Sequence, residues 1–377
     1  VSADIRARAG ATRTWQEAAT SGPAVAAALA AAREAPTALL EVLLGADEVI
    51  YTGAGSSYYI AQSVAWAHRE MLGRPSTAVA LSELLLRPTG VLSRGEPGRR
   101  AIVVISRSGT TSEAVDVATR FGAAGHPIVA VTCRPAAPLA SSAPLGLVSP
   151  LGDETAVVMT RSFTSMLALL LRVVARLAER AGHPPGLGRD LDMLPDRWPE
   201  ALAAAELAVA VAAARPWSRV VPLGGGPAFG IASEAALKLT ETSQVPADPY
   251  APLEFRHGPL SVCEPDVLVL AMPDPTAVEA ELAVAREAAA LGATGWILAP
   301  AGGLADIPQP ADAAAMTAAL ADAGAFVATS IGVGLHPLAR LPLLLPPVQA
   351  LALAIAVGRG GDPDAPRHIG QVVVLDG

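Results

Sequence analysis

Residues 48–57 read Glu-Val-Ile-Tyr-Thr-Gly-Ala-Gly-Ser-Ser, a short β-type run that ends in a glycine turn and leads into a long helical pattern. Residues 219–228 repeat the design as Arg-Val-Val-Pro-Leu-Gly-Gly-Gly-Pro-Ala, again ahead of a helical pattern. Gly53 and Gly224 stand 171 residues apart. A strand, a glycine turn and a helix given twice predict two copies of one α/β unit.

Working outward, residues 101–105 form an unbroken apolar run that fits a strand buried on both faces. It ends in Ser106-Arg107-Ser108-Gly109-Thr110-Thr111, and a helical pattern follows. Residues 126–132 read as the next strand, 145–148 as a weaker one, and 162–180 as an amphipathic helix. In the second copy, strands are expected near 267–271, 295–298 and 341–345. The fold class is therefore α/β: two units in tandem, each a parallel sheet with helices on both faces. Ligands of such sheets bind beyond the carboxyl ends of the strands. The expected plan is a helical segment at 1–40 anchored by Trp15, a first unit at 41–180 and a linker at 181–215. A second unit at 216–350 and a helix end with its tail at 351–377 complete it. The linker reading rests on His183-Pro184-Pro185-Gly186, Gly188 and Pro195.

A hydrophobic fraction of 52% in 377 residues supports two cores of ordinary size. The net charge of -8, with both signs interspersed, argues against a nucleic-acid surface and means that a bound phosphate needs local donors. Cys133 and Cys263 lie far apart in apolar runs, which points to buried thiols, not to a disulfide or a metal site. No secretory pattern opens the chain. Residues 341–358 are uncharged, but Pro342, Pro346 and Pro347 make a buried helix with a proline-rich start a better reading than a membrane span. A reduced, cytoplasmic protein is expected, with no metal and no cofactor.

Four hydroxyls around Gly109, between a buried strand and a helix, suit an anion: the helix start offers unpaired N–H groups, and glycine lets the backbone come close. Ser57 and Gly55, in the neighbouring turn, are placed to join in. The alternative is that these hydroxyls are only helix caps. A dinucleotide fingerprint is not met, because Gly53-Ala54-Gly55 lacks a third glycine at the required spacing.

The second chemical stretch is residues 234–260, EAALKLTETSQVPADPYAPLEFRHGPL. Lys238 is the only lysine among 27 basic residues; the other 26 are arginine. Lysine is a compact donor whose pKa can shift, which arginine is not. Glu234, Lys238 and Glu241 share one helix face by their spacing, either as a salt-bridged surface or as acid/base groups. A loop with Glu254 and His257 follows.

These residues carry a resemblance. The GAGSS turn, the SRSGTT loop, the EAALKLTETS helix with EFRHGP and the closing DPDAPRHIGQVV resemble the sugar-isomerase (SIS) domain family over roughly residues 40–377. Within it, the chain resembles the isomerase half of glucosamine-6-phosphate synthase and stand-alone amino-sugar phosphate deaminases and isomerases. The resemblance implies phosphate binding by Ser57, Ser106, Arg107, Ser108 and Thr111. It implies that Glu241 is the base moving a proton between sugar carbons 1 and 2, that Lys238 sits near the substrate oxygens, and that His257 is the ring-opening acid/base. The family's histidine reaches in from the partner subunit, so a homodimer with shared active sites is implied. The segment 157–165, with Thr160, resembles the loop that contacts sugar hydroxyls in the deaminase-like branch.

The sequence departs from that pattern in three places. About forty residues precede the first unit, so no glutaminase domain is expected. The family's imine-forming lysine is replaced by Gln371. The second copy of the phosphate loop reads Met272-Pro273-Asp274-Pro275-Thr276, and Asp274 would repel a phosphate, so one phosphate site is expected. The expected function is deamination of an amino-sugar phosphate. An aldose–ketose isomerase acting on a non-amino sugar phosphate and a non-catalytic sugar-phosphate sensor are the alternatives.

Overall fold

The computed structural model describes residues 2–92, 96–300 and 304–371. The chain divides into two compact units. Among the described residues, the one built on the first sheet comprises 20–92, 96–155, 159–195 and 370–371; the one built on the second comprises 2–19, 156–158, 196–300 and 304–369. The helical stretch at 1–40 is thus divided between them, and Val372 and Val373 of the closing motif lie outside the described residues.

The first unit has a five-stranded sheet of β1 (Glu48–Gly53), β2 (Ser76–Ala80), β3 (Arg100–Ile105), β4 (Ile128–Thr132) and β5 (Leu145–Val148), in the order β2-β1-β3-β4-β5. All pairings are parallel. Strand side chains alternate between faces. Ile50, Ile102, Val104, Ile128 and Ala130 pack with Val117 and Phe121 of the helix Ser112–Ala123. The helix Arg161–Arg180 packs against Ser21–Arg33 and Ser56–Leu72. The 162–180 stretch is an amphipathic helix as expected, with Arg176, Glu179 and Arg180 on its more exposed side. Sixteen of its residues are buried, and its polar Ser162, Thr164 and Ser165 are buried among them. Because β1 is followed by β2 on one side and β3 on the other, the chain direction switches between β1 and β3, which opens a crevice at their carboxyl ends.

The second unit has a four-stranded parallel sheet of β6 (Arg219–Leu223), β7 (Val267–Ala271), β8 (Thr294–Ala299) and β9 (Phe326–Ser330), in that order. Single parallel bridges, Val220 to Ala247 and Leu223 to Tyr250, lay the chain along the free side of β6 where the first sheet has β2. The same switch therefore recurs between β6 and β7. The expected strand at 341–345 is a correction: it lies in the helix Pro337–Gly358, and the fourth strand is β9. That helix is the one among the described residues long and apolar enough to cross a bilayer, and 94% of its apolar window is buried in the protein. Its prolines are not confined to the start. Pro337 opens it, while Pro342, Pro346 and Pro347 lie inside and remove three N–H donors. Residues 181–215, rich in linker residues, are mostly helical, as Gly186–Asp192 and Leu194–Ala214.

Candidate active site

In the first unit, β3 ends at Ile105 and the loop from Ser106 to Thr111 turns into the helix Ser112–Ala123. Gly109 has φ +62°, and a Cβ there would lie 2.6 Å from the Ala137 methyl and 2.9 Å from Thr132 Oγ1. Only glycine fits this close approach. The loop is pinned from outside: Thr132 Oγ1 donates to the Arg107 carbonyl at 3.0 Å and Leu139 N–H to the Gly109 carbonyl at 2.9 Å.

The hydroxyls are wired to the loop itself. Ser106 Oγ accepts from Gly109 N–H at 3.2 Å and lies 3.3 Å from Thr111 Oγ1. Ser108 Oγ accepts from Thr110 N–H at 3.2 Å and from Thr110 Oγ1 at 2.9 Å, so its own O–H is left to donate. Thr111 sits at the cap position of the helix Ser112–Ala123 without making a side-chain cap bond. Thr111 is therefore not a side-chain cap, while Ser106 and Ser108 each accept a backbone N–H within the loop. The loop brings hydroxyls and a helix start to a switch point, an arrangement that suits an anion. Ser57, Ser106 and Ser108 are nearly buried, Thr111 is half-buried and Gly55 is exposed.

The side chains of Arg107 and Thr160 have partners within this unit. The Arg107 guanidinium donates to the Gln371 carbonyl at 2.7 Å and lies 3.8 Å from the Glu154 carboxylate. Gln371 Nε2 donates to the Glu154 carbonyl at 2.9 Å, which closes the clasp. Thr160 is fully buried, and its hydroxyl donates to Glu154 at 2.8 Å. Glu154 also accepts from the N–H groups of Thr160 and Arg161 and from the Ser162 hydroxyl. It thus neutralises the start of the helix Arg161–Arg180. Burial raises its pKa, against the pull of those donors and of Arg107. Sequence reasoning missed Glu154, because a carboxylate seven residues ahead of the first residue of a helix matches no local capping pattern.

In the second unit, the helix Phe229–Ser243 carries Glu234, Lys238 and Glu241 on one face. Lys238 and Glu234 are buried, with 2% and 0% of their side chains exposed, while Glu241 keeps 14%. Lys238 Nζ lies 3.3 Å from Glu234 Oε1 and hydrogen-bonds Glu241. Burial acts to lower the lysine pKa, and the two carboxylates together overcome it, so the ammonium is held above its ordinary range. The surface salt-bridge reading is thereby excluded for Lys238.

His257 follows the single helical turn Leu253–Arg256, whose Phe255 is fully buried and anchors it. His257 N–H bonds the Glu254 carbonyl at 3.0 Å. Its ring is exposed, with no hydrogen-bond or ion-pair partner among the described residues, and Glu254 is exposed beside it. The structure brings Lys238 together with both glutamates and leaves His257 on a separate, open turn.

No group of residues suited to a metal ion occurs among the described residues. Cys133 and Cys263 are free thiols, and burial raises both pKa values.

The profile of the SIS domain family matches residues 42–176 and 215–322. Two glutamine–fructose-6-phosphate aminotransferases [isomerizing] are similar over 67% of this chain, that of Gluconobacter oxydans at 30% identity and that of Zymomonas mobilis at 28%. The chain spans about two fifths of their length, 40% in each case. Among solved structures, glucosamine-6-phosphate deaminase from Thermotoga maritima has a TM-score of 0.72 at 24% identity, with coverage of 97% of this chain and 100% of the other. Tagatose-6-phosphate ketose/aldose isomerase from Escherichia coli has a TM-score of 0.78 at 22% identity, covering 98% and 97%. At these identities the likeness is one of fold. The family profile covers both copies of the strand–turn–helix unit, and on that match the chain belongs to the SIS domain family.

Proposed function

We propose that the protein deaminates an amino-sugar phosphate, converting a glucosamine 6-phosphate-like aldose to a fructose 6-phosphate-like ketose with release of ammonia. The observation that carries this reading is the buried ammonium of Lys238 between two carboxylates, one of which, Glu241, reaches solvent. A cation fixed there stabilises negative charge on substrate oxygens, and a solvent-reaching carboxylate beside it suits a base.

In the proposed reaction the cup of Ser57, Ser106, Ser108 and Thr111 holds the phosphate. His257 moves the proton that opens the sugar ring. Glu241 takes the proton from carbon 2, giving an enolamine, and a proton is returned to carbon 1. The resulting carbon-2 imine adds water and expels ammonia. Gln371 has no amine to form an imine with the ketose, so in this reading water is the acceptor. The open, unpartnered ring of His257 suits a group that acts in the active site of a second copy, which makes the proposed functional form a homodimer.

The test is ammonia release from glucosamine 6-phosphate by the parent and by Glu241→Gln. The parent is expected to release ammonia and the variant to lose it by about 10²–10⁴-fold. No ammonia from the parent would overturn the deaminase reading. Conversion of a ketose phosphate to its aldose would then favour plain isomerisation, and binding without conversion a sensor.

A further inference from the structure

The two glycine turns superimpose in their backbone demands. A Cβ on Gly53 would lie 2.5 Å from the Ser57 carbonyl carbon, and one on Gly224 would lie 2.5 Å from the Ala228 oxygen. Gly55 has φ +53° and Gly226, at the same 171-residue separation, has φ +51°. The middle position differs: Ala54 in the first turn, Gly225 in the second. A Cβ on Gly225 would lie 2.5 Å from Glu281 Oε1. The methyl is missing where a carboxylate presses on the backbone.

Glu281 arrives from the other wall of the same crevice. It is the fourth residue of the helix Val278–Ala290, which follows β7 as Ser112–Ala123 follows β3. The fourth residue of that first helix is Val115. Glu281 Oε2 accepts from Asp274 N–H at 2.9 Å, in the loop that corresponds to the hydroxyl cup. Beneath it, Arg340 is 1% exposed and donates to the Pro273 carbonyl at 3.2 Å and the Leu298 carbonyl at 2.7 Å. Its Nε is buried with no hydrogen-bond partner among the described residues. Asp274 and Glu281 are the carboxylates whose charge acts on this guanidinium. The Asp274 carboxylate is itself turned back onto Thr276 N–H and Oγ1, at 2.7 and 2.6 Å. The Glu281 carboxylate thus takes a loop N–H directly and feels the charge of the buried guanidinium, which work against its burial and against the neighbouring Asp274 carboxylate.

We propose that Glu281 is a built-in anion that occupies the second unit's counterpart of the phosphate cup and closes it to exogenous phosphate. The count of one phosphate per chain rests on the function proposed above; the occupancy of the second cup by Glu281 does not. Removing the side chain should leave a cavity in which the Asp274 N–H has lost its acceptor and Arg340 a counter-charge, which a small free anion restores.

The test compares Glu281→Ala with the isosteric, neutral Glu281→Gln, using sodium formate and inorganic phosphate as probes. Formate is expected to raise the melting temperature of Glu281→Ala in a concentration-dependent way, and to raise that of Glu281→Gln no more than the parent's. Inorganic phosphate should bind at one more site per chain in Glu281→Ala than in Glu281→Gln. Equal responses of the two variants to both anions would overturn the proposal. Were Glu281→Ala unable to fold in anion-free buffer, the same comparison is made on refolding yield with and without formate, where recovery supports the proposal and its absence overturns it. Glu281→Gln should also melt below the parent, since the buried Arg340 loses a counter-charge, and a variant as stable as the parent would contradict a charged plug. The first unit's cup is unchanged in both variants, so a failure of the phosphate reading removes the phosphate response common to all three proteins without touching the formate difference.

Discussion

Lys238 holds a charge that its burial opposes, and it does so because Glu234 and Glu241 flank it one helical turn to either side. Such an arrangement is unforgiving. Lys238→Met should destabilise the fold by about 3–5 kcal/mol, because it leaves Glu234 buried beside a second carboxylate with no cation. Lys238→Met with Glu234→Gln should recover part of that loss in urea denaturation; no recovery would show that the carboxylate is not the cause. A second buried group responds to pH. His68 hydrogen-bonds Tyr51 through Nδ1 at 2.9 Å, and its Nε2 is buried without a partner among the described residues. Burial, with Arg74 and Arg69 nearby, lowers its pKa from 6.5 to about 4. The folded ring stays neutral while the unfolded ring takes a proton. Its stabilising contribution is therefore full above about pH 6.5 and is lost as the pH falls toward about 4, by roughly 3 kcal/mol. In denaturation experiments over that range, His68→Phe should show a shallower loss than the parent.

At the scale of elements, the loop after β3 depends on Gly109. Gly109→Ala adds a methyl against Ala137 and Thr132 at a left-handed φ, and should cost about 1–3 kcal/mol while weakening phosphate binding. Calorimetry with inorganic phosphate reads both effects. Much of this element was legible beforehand: a buried strand, a hydroxyl-rich loop and a helix were all readable from residues 101–123. Other elements were not. Residues 341–345 are Leu-Pro-Leu-Leu-Leu, an apolar run whose periodicity fits a buried strand or a buried helix equally, and the prolines do not break the helix that forms. The edge strand β2, Ser-Thr-Ala-Val-Ala, is only five residues long and only partly buried, so it carries little hydrophobic signal. Glu154 and Glu281 escaped for another reason. Each acts on a backbone brought near by the fold, at a spacing no local motif encodes.

At the scale of the whole molecule, the duplication explains why one kind of unit serves two ends. In the reading proposed above, the first sheet's switch point carries the hydroxyl loop that binds phosphate, and the second's is filled by Glu281. The proposed homodimer makes its own prediction. Glu241→Gln and His257→Asn, each inactive alone, should regain activity when mixed under conditions that exchange subunits. A mixed dimer then holds one site with both native residues. No recovery on mixing would place both groups in one chain's site.

The central claim is that Glu241 moves the proton between carbons 1 and 2. The most direct measurement follows deuterium placed at carbon 2 of glucosamine 6-phosphate, by NMR, as ammonia is released. With the parent the label should leave carbon 2, for carbon 1 or for water, in step with ammonia. With Glu241→Gln it should stay where it was placed. Ammonia released with the label still at carbon 2, or label lost at the parental rate in the variant, would contradict the account.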